Sequence, residues 1–118
     1  MEKVLGIGGV FFRAKDPDAL TTWYAQHLGI APSPTSDGEE VWQQEAGPTV
    51  FTPFEADTDY WDASKGWMMN FRVRDLDKMV GQLRTAGITV DVNPDETYGR
   101  FAHLNDPEGN RIELWQEV

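Results

Sequence analysis

The sequence predicts an α+β chain built from two copies of a β-α-β-β-β module, whose strands form a curved mixed sheet around a pocket. Two observations carry that prediction. Runs of strand-like and helix-like patterning occur in the same order in each half of the 118 residues, and particular residues recur at a nearly fixed offset. Phe12-Arg13 matches Phe71-Arg72, Asp16 matches Asp75, Asp18 matches Asp77 and Leu20 matches Met79, each pair 59 positions apart. Gly29 matches Gly87 at an offset of 58, and Gly47-x-x-Val50 matches Gly109-x-x-Ile112 at 62, so the slips fall at a helix end and in loops. A unit of this size cannot bury its own sheet. Two must pack together, and the concave surface between them is the natural place for a ligand.

The elements follow in order. Val4 to Arg13 is β-branched and aromatic with glycines inside it, which predicts a strand. Asp16-Pro17 then supplies an N-cap and a first-turn proline. Leu20, Trp23, Tyr24, His27 and Leu28 share one helical face, and Gly29 stops the helix. Val41 to Glu45 and Thr49 to Phe54 predict two strands turned by Ala46-Gly47-Pro48. The acidic, polar stretch that follows, broken by Tyr60 and Trp61, predicts a linker over about residues 58–65 that could act as a lid or a subunit contact. It separates a first module of about residues 1–57 from a second of about 66–118.

In the second module Trp67 to Val73 predicts a strand. Asp75 caps a helix striped by Leu76, Met79, Val80 and Leu83, which ends at Ala86-Gly87. Strands are predicted at Ile88 to Val92, Gly99 to Leu104 and Arg111 to Trp115. The last two are joined by the turn Asp106-Pro107-Glu108-Gly109-Asn110.

Composition limits function more than it defines it. A hydrophobic share of 40% is enough for a core. With 20 acidic against 10 basic residues the net charge is −10, which repels phosphate backbones and anionic membrane surfaces and excludes nucleic-acid and membrane binding as expectations. The absence of cysteine removes disulfides, thiolate nucleophiles and thiolate metal sites. No apolar run is long enough to span a bilayer and no signal-peptide pattern follows Met1, so a cytoplasmic location is expected. There is no phosphate-cradling loop, because Gly6-x-Gly8-Gly9 lies inside a predicted strand rather than after one.

Four stretches together resemble the vicinal oxygen chelate superfamily, which contains glyoxalases, bleomycin-resistance proteins and extradiol dioxygenases. They are Phe12-Arg13-Ala14-Lys15-Asp16-Pro17, Trp23-Tyr24-x-x-x-Leu28-Gly29, Phe71-Arg72-Val73-Arg74-Asp75-Leu76 and Asp106-Pro107-Glu108-Gly109-Asn110-Arg111-Ile112-Glu113-Leu114. The resemblance implies the glyoxalase/bleomycin-resistance fold, a glyoxalase-like member and a homodimer. It also implies four metal-ligand positions, which fall here on Gly9, Phe51, Met68 and Glu113. Only Glu113 suits a hard or borderline cation, so the metal site is expected to be degenerate and no cofactor is predicted. His103 is the one nearby residue that would add a second ligand.

Strand alternation then assigns faces. Arg111, Glu113 and Trp115 are expected to face the pocket together, as are Met68, Asn70 and Arg72, and Gly9, Phe11 and Arg13. Alternation alone leaves open whether His103 points in or out. The expected site is an apolar, aromatic cup formed by Gly9, Phe11, Trp42, Phe51, Met68, Asn70, His103 and Trp115, with Glu113 as a carboxylate whose pKa burial would raise. The functional expectation is a metal-independent protein binding a partly apolar or aromatic small molecule. The alternative is a glyoxalase- or lyase-type enzyme in which Glu113 is the catalytic acid/base, with or without a divalent metal.

Overall fold

The computed structural model describes residues 1–34 and 41–118. The sequence of Pro32 to Glu39 reads as a turn-rich connection, and its residues from 35 onward lie outside them. Two helices and four strands follow in the order α1 (Pro17–Leu28), β1 (Met69–Arg72), α2 (Leu76–Thr85), β2 (Asp91–Val92), β3 (Arg100–Asn105) and β4 (Arg111–Gln116). The strands form one mixed sheet in the order β1-β4-β3-β2. β1 runs parallel to β4, whereas β3 is antiparallel to both β4 and β2.

The helices begin as their sequences require. The carboxylate of Asp16 accepts from the Ala19 amide at 3.1 Å, and that of Asp75 accepts from the Lys78 amide at 3.0 Å. Each side chain satisfies an amide that the helix itself leaves without a partner. Gly29, at φ 73°, closes α1 in the left-handed conformation, where a Cβ would be penalised. His27 rests against Trp23 with ring centroids 5.3 Å apart.

Alternation places the core. Ile112 and Leu114 of β4 and Ala102 and Leu104 of β3 point to one side, where they pack with Leu76, Val80 and Leu83 of α2 and Leu20 and Tyr24 of α1. Phe71 and Val73 join this cluster at its margin. Of the two helices, α2 fits the sheet by a narrow stripe, as the predicted positions require. α1 adds Leu20 and Tyr24 from the first half of the chain to the same core.

The Asp106 turn locks these parts together. The Tyr24 hydroxyl donates to Asp106 Oδ2 at 2.7 Å, and the Asn110 side chain donates to the same oxygen at 2.7 Å. The Glu108 and Asn110 amides donate to Oδ1. Glu108 in turn accepts from the amides of Lys15 and Asp16 at the entrance to α1. Burial, followed by the hydrogen bond to the Asp106 carboxylate, pushes the Tyr24 phenol well above its ordinary pKa, so it remains a donor. The turn motif is therefore structural glue between the two halves.

Three expected strands are absent among the described residues. Val4–Arg13, Val41–Glu45 and Thr49–Phe54 form no backbone ladder. A helix satisfies its backbone within one segment, but a strand needs a neighbour, and these segments have none in the described chain. Their side chains show the consequence, with Leu5, Phe11, Val50 and Phe51 exposed. The radius of gyration, 15.4 Å, exceeds the roughly 13.5 Å of a fully compacted chain of this length. The strand expected over Ile88 to Val92 shortens to Asp91–Val92, with Val90 turned into the core. No described helix is long and apolar enough to cross a membrane.

Candidate functional site

The face of the sheet opposite the core carries the polar residues. His103 on β3 and Glu113 on β4 lie directly across from each other in the antiparallel register, and Asn70 on β1 lies across from Glu113 in the parallel one. Directly opposed residues project to the same face, so three neighbouring strands bring three polar side chains to one point.

Glu113 is 8% exposed and His103 6%. Glu113 Oε1 accepts from the Asn70 side-chain amide at 2.7 Å. Its Oε2 lies 2.8 Å from His103 Nε2 and also accepts from the Tyr60 hydroxyl. On the far side of the imidazole, Nδ1 lies 3.1 Å from Asn93 Oδ1. Nε2 faces the carboxylate as a donor, and the role of Nδ1 follows from which way the Asn93 amide is turned. Either way the carboxylate receives hydrogen bonds at both oxygens.

These donors reverse the expectation of a raised Glu113 pKa. Burial does act to raise it. The hydrogen bonds from His103, Tyr60 and Asn70 outweigh burial and hold the carboxyl below the ordinary value. Glu113 is thus an ionised acceptor, not a protonated acid, near neutral pH. Tyr60 shifts the other way: burial, then its hydrogen bond to the Glu113 carboxylate, raises its pKa and keeps the phenol protonated.

Aromatic groups surround the polar cluster. The Tyr60 ring meets the His103 ring edge to face, with centroids 5.6 Å apart, and the Phe54 ring lies 5.8 Å from that of Tyr60. Trp115 and Phe101 stack in parallel planes on the same face of the sheet, at 6.3 Å. Arg111, at the end of this face, reaches Asp91 at 3.4 Å, as expected of an arginine at the rim.

The structure thus brings together Asn70, His103 and Glu113, with Trp115 on the same face. His103 shares the face of Glu113 and contacts it, whereas alternation alone left its direction open. Met68 is half-buried beside β1. Gly9, Phe11, Trp42 and Phe51 lie on the unpaired segments, and the three aromatic ones are exposed and stack on none of the site's rings. Tyr60 and Asn93 are the site residues that strand patterning missed. The only sign of Tyr60 is an aromatic pair in an otherwise polar, acidic linker, and Asn93 follows a two-residue strand too short to show alternation.

Among the described residues the site offers too few ligands for a divalent ion. Glu113 and His103 are the only His, Cys, Asp or Glu side chains in the described cluster, and each is engaged by the other. Among the described residues no group of three His, Cys, Asp or Glu converges.

Residues 9–115 match the protein family described as Glyoxalase-like domain. No curated protein sequence matches the chain significantly. Solved structures share its fold. A lactoylglutathione lyase from Agrobacterium tumefaciens superposes with a TM-score of 0.64 at 17% identity, covering 98% of this chain and 96% of that one. TnmS3, an antibiotic binding protein from Streptomyces sp. CB03234, gives 0.55 at 21% identity with 88% of each chain covered. A member of the glyoxalase/bleomycin resistance protein/dioxygenase superfamily from Sphaerobacter thermophilus gives 0.57 at 19% identity, with 88% and 90% covered. At these identities the likeness establishes a common fold and leaves the ligand to be argued from the site.

Proposed function

The chain belongs to the glyoxalase-like domain family, and from that premise we propose that it binds a partly apolar or aromatic small molecule without a metal, on the sheet face around Glu113. The cup is completed when the two βαβββ modules, about residues 1–57 and 66–118 with a linker of about 58–65, close over that face, and a homodimer is the state in which they do so. Phe11, Trp42, Phe51 and Met68 then contribute apolar wall, and Gly9 leaves room in it.

One observation carries the preference for binding over catalysis. Donors from Asn70, His103 and Tyr60 already occupy Glu113, and together they lower its basicity. A general base needs a pKa close to the working pH, and this carboxylate is shifted away from it. A fixed, ionised carboxylate is well suited to orienting a hydrogen-bond donor on a ligand. The second reading is glyoxalase- or lyase-type chemistry in which Glu113 accepts a substrate proton, supported by the shared His103–Glu113–Tyr60 contact, which offers a route for proton exchange.

One experiment addresses both readings. Flat, hydroxylated aromatic compounds are titrated into wild-type protein and Glu113→Gln while the thermal midpoint is followed, and the mixtures are then separated by chromatography. The binding reading predicts ligand-dependent stabilisation of the wild type, weaker by roughly tenfold or more in affinity for the variant, with every compound recovered unchanged. Product formed by wild type and not by Glu113→Gln would instead establish the enzymatic reading. No stabilisation by any compound would defeat the binding one.

A further inference from the structure

Tyr60 is the one side chain from outside the sheet that reaches Glu113 among the described hydrogen bonds, while Asn93 touches the far nitrogen of His103. The Tyr60 hydroxyl uses the site in two ways. It donates to Glu113 Oε2, and its oxygen lies 3.3 Å from His103 Nε2. The cluster therefore presents to one small volume a carboxylate acceptor and, at longer range, the His103 Nε2–H that it shares with Glu113, a pairing that suits a hydroxyl group. Anionic heads are disfavoured there, since the ionised Glu113 would repel a carboxylate or a phosphate.

The shape of the seat is as specific as its polarity. The Tyr60 ring lies 5.6 Å from the His103 ring at a steep 80° and 5.8 Å from the Phe54 ring at 32°, so the group that occupies the seat is itself a flat ring held among rings.

The segment carrying Tyr60 is tied to itself more than to the sheet. Thr58 bonds back to Glu55, the Tyr60 amide donates to the Thr58 hydroxyl, and the Trp61 indole donates to the Lys65 carbonyl. Among the described polar contacts it meets the sheet and its adjoining turn through the Tyr60 hydroxyl and a long Lys65 to Glu108 contact at 3.5 Å. A cleft of about 490 Å³ already separates Asp59 and Trp61 from Asn105 and Arg111. That volume is in the range of small-molecule sites.

We propose that the Tyr60 hydroxyl occupies the seat of a ligand's aromatic hydroxyl, so that the cluster is a phenol-binding site which the Tyr60 segment fills when no ligand is present. This rests on the small-molecule reading above and specifies its ligand class. A ligand phenol takes over the bonds to Glu113 and His103, and the segment lifts away with Tyr60. Because the free site is self-occupied, its apparent affinity is reduced by the fraction of molecules in which Tyr60 is out.

The test compares 2-naphthol with 2-methoxynaphthalene, which has the same ring system and no hydroxyl proton. Binding to wild type, Tyr60→Ala and Tyr60→Phe is followed by ligand fluorescence, with circular dichroism confirming the fold of each. Removing Tyr60 should tighten 2-naphthol by about tenfold or more and leave 2-methoxynaphthalene, which cannot donate to Glu113 and so does not compete for the Tyr60 seat, within about twofold. Tyr60→Phe keeps the ring but removes its tether, and should shift the preference toward 2-naphthol in the same direction, so it carries the test if the alanine variant does not fold. Equal tightening of both compounds would mean that the substitution only makes space, and would overturn the proposal. So would the absence of any hydroxyl preference in the variants, while binding of both compounds would leave the broader reading intact. Failure of both compounds to bind wild type and variants alike would overturn the two together.

Discussion

Glu113 combines burial with ionisation, and the balance is set by its neighbours. A carboxyl at 8% exposure would ordinarily resist charging, but His103, Tyr60 and Asn70 donate to it and lower its pKa. A carboxyl whose folded pKa is depressed stabilises the fold above its unfolded pKa, and that contribution is lost as pH falls through the folded value. Starting from an unfolded value of about 4.3, the loss should appear below that pH and not in the neutral range. Urea midpoints of wild type and Glu113→Gln measured across the acid range should converge as pH falls. At neutral pH the variant should be less stable by about 2 kcal/mol, because the glutamine amide turns a donor toward donors. A constant gap at all pH values would show that the charge of Glu113 contributes nothing. The sequence marked Glu113 as the surviving polar position, and alternation gave its face. The direction of its shift was hidden, because it depends on Tyr60, which arrives from a loop with no periodicity, and on His103, whose place beside Glu113 required the register with β4.

At the scale of elements, legibility follows where the hydrogen bonds close. Both helices appear where the Asp-capped patterns place them, since a cap, a stripe and a terminating glycine all act within a few residues. The long strands β3 and β4 also appear where alternation and the Asp106 turn require. The turn itself was legible as a turn and not as a brace. Its role depends on Tyr24 and on the entrance to α1, which lie far away in sequence. Asp106 accepts from the Tyr24 hydroxyl, the Asn110 side chain and two backbone amides, and is 4% exposed. Asp106→Ala leaves these donors buried without an acceptor and should destabilise the fold by about 3 kcal/mol, while Tyr24→Phe, which removes one donor and keeps the ring, should cost about 1 kcal/mol. Chemical denaturation followed by tryptophan fluorescence measures both. Similar losses for the two variants would argue that the tyrosine contact dominates and that the turn's own bonds are secondary.

For the whole molecule, the asymmetry between the halves is the main physical fact. Among the described residues the second half has the sheet and most of the core and the polar site, while the first contributes α1 and long apolar segments without strand partners. Strand composition was readable at Val4–Arg13, Val41–Glu45 and Thr49–Phe54, but composition does not say where a partner strand comes from. Exposed Leu5, Phe11, Val50 and Phe51 are costly in water, because apolar area left uncovered forfeits about 25 cal/mol per Å². β1 lies at an edge of the sheet, so one of its sides offers unpaired backbone groups. A second copy can supply both the cover and the pairing, as expected of the homodimer. Sedimentation at micromolar concentration should then give a species of twice 13.4 kDa. Amide exchange in residues 4–12 and 49–54 should be slow in that species and should quicken on dilution through its dissociation. Phe51→Lys should weaken the association without altering the helices, since Phe51 is not in the described core. Protection that persists unchanged in a monomer would mean that these strands pair within their own chain, and the second copy would then have no part in completing the cup.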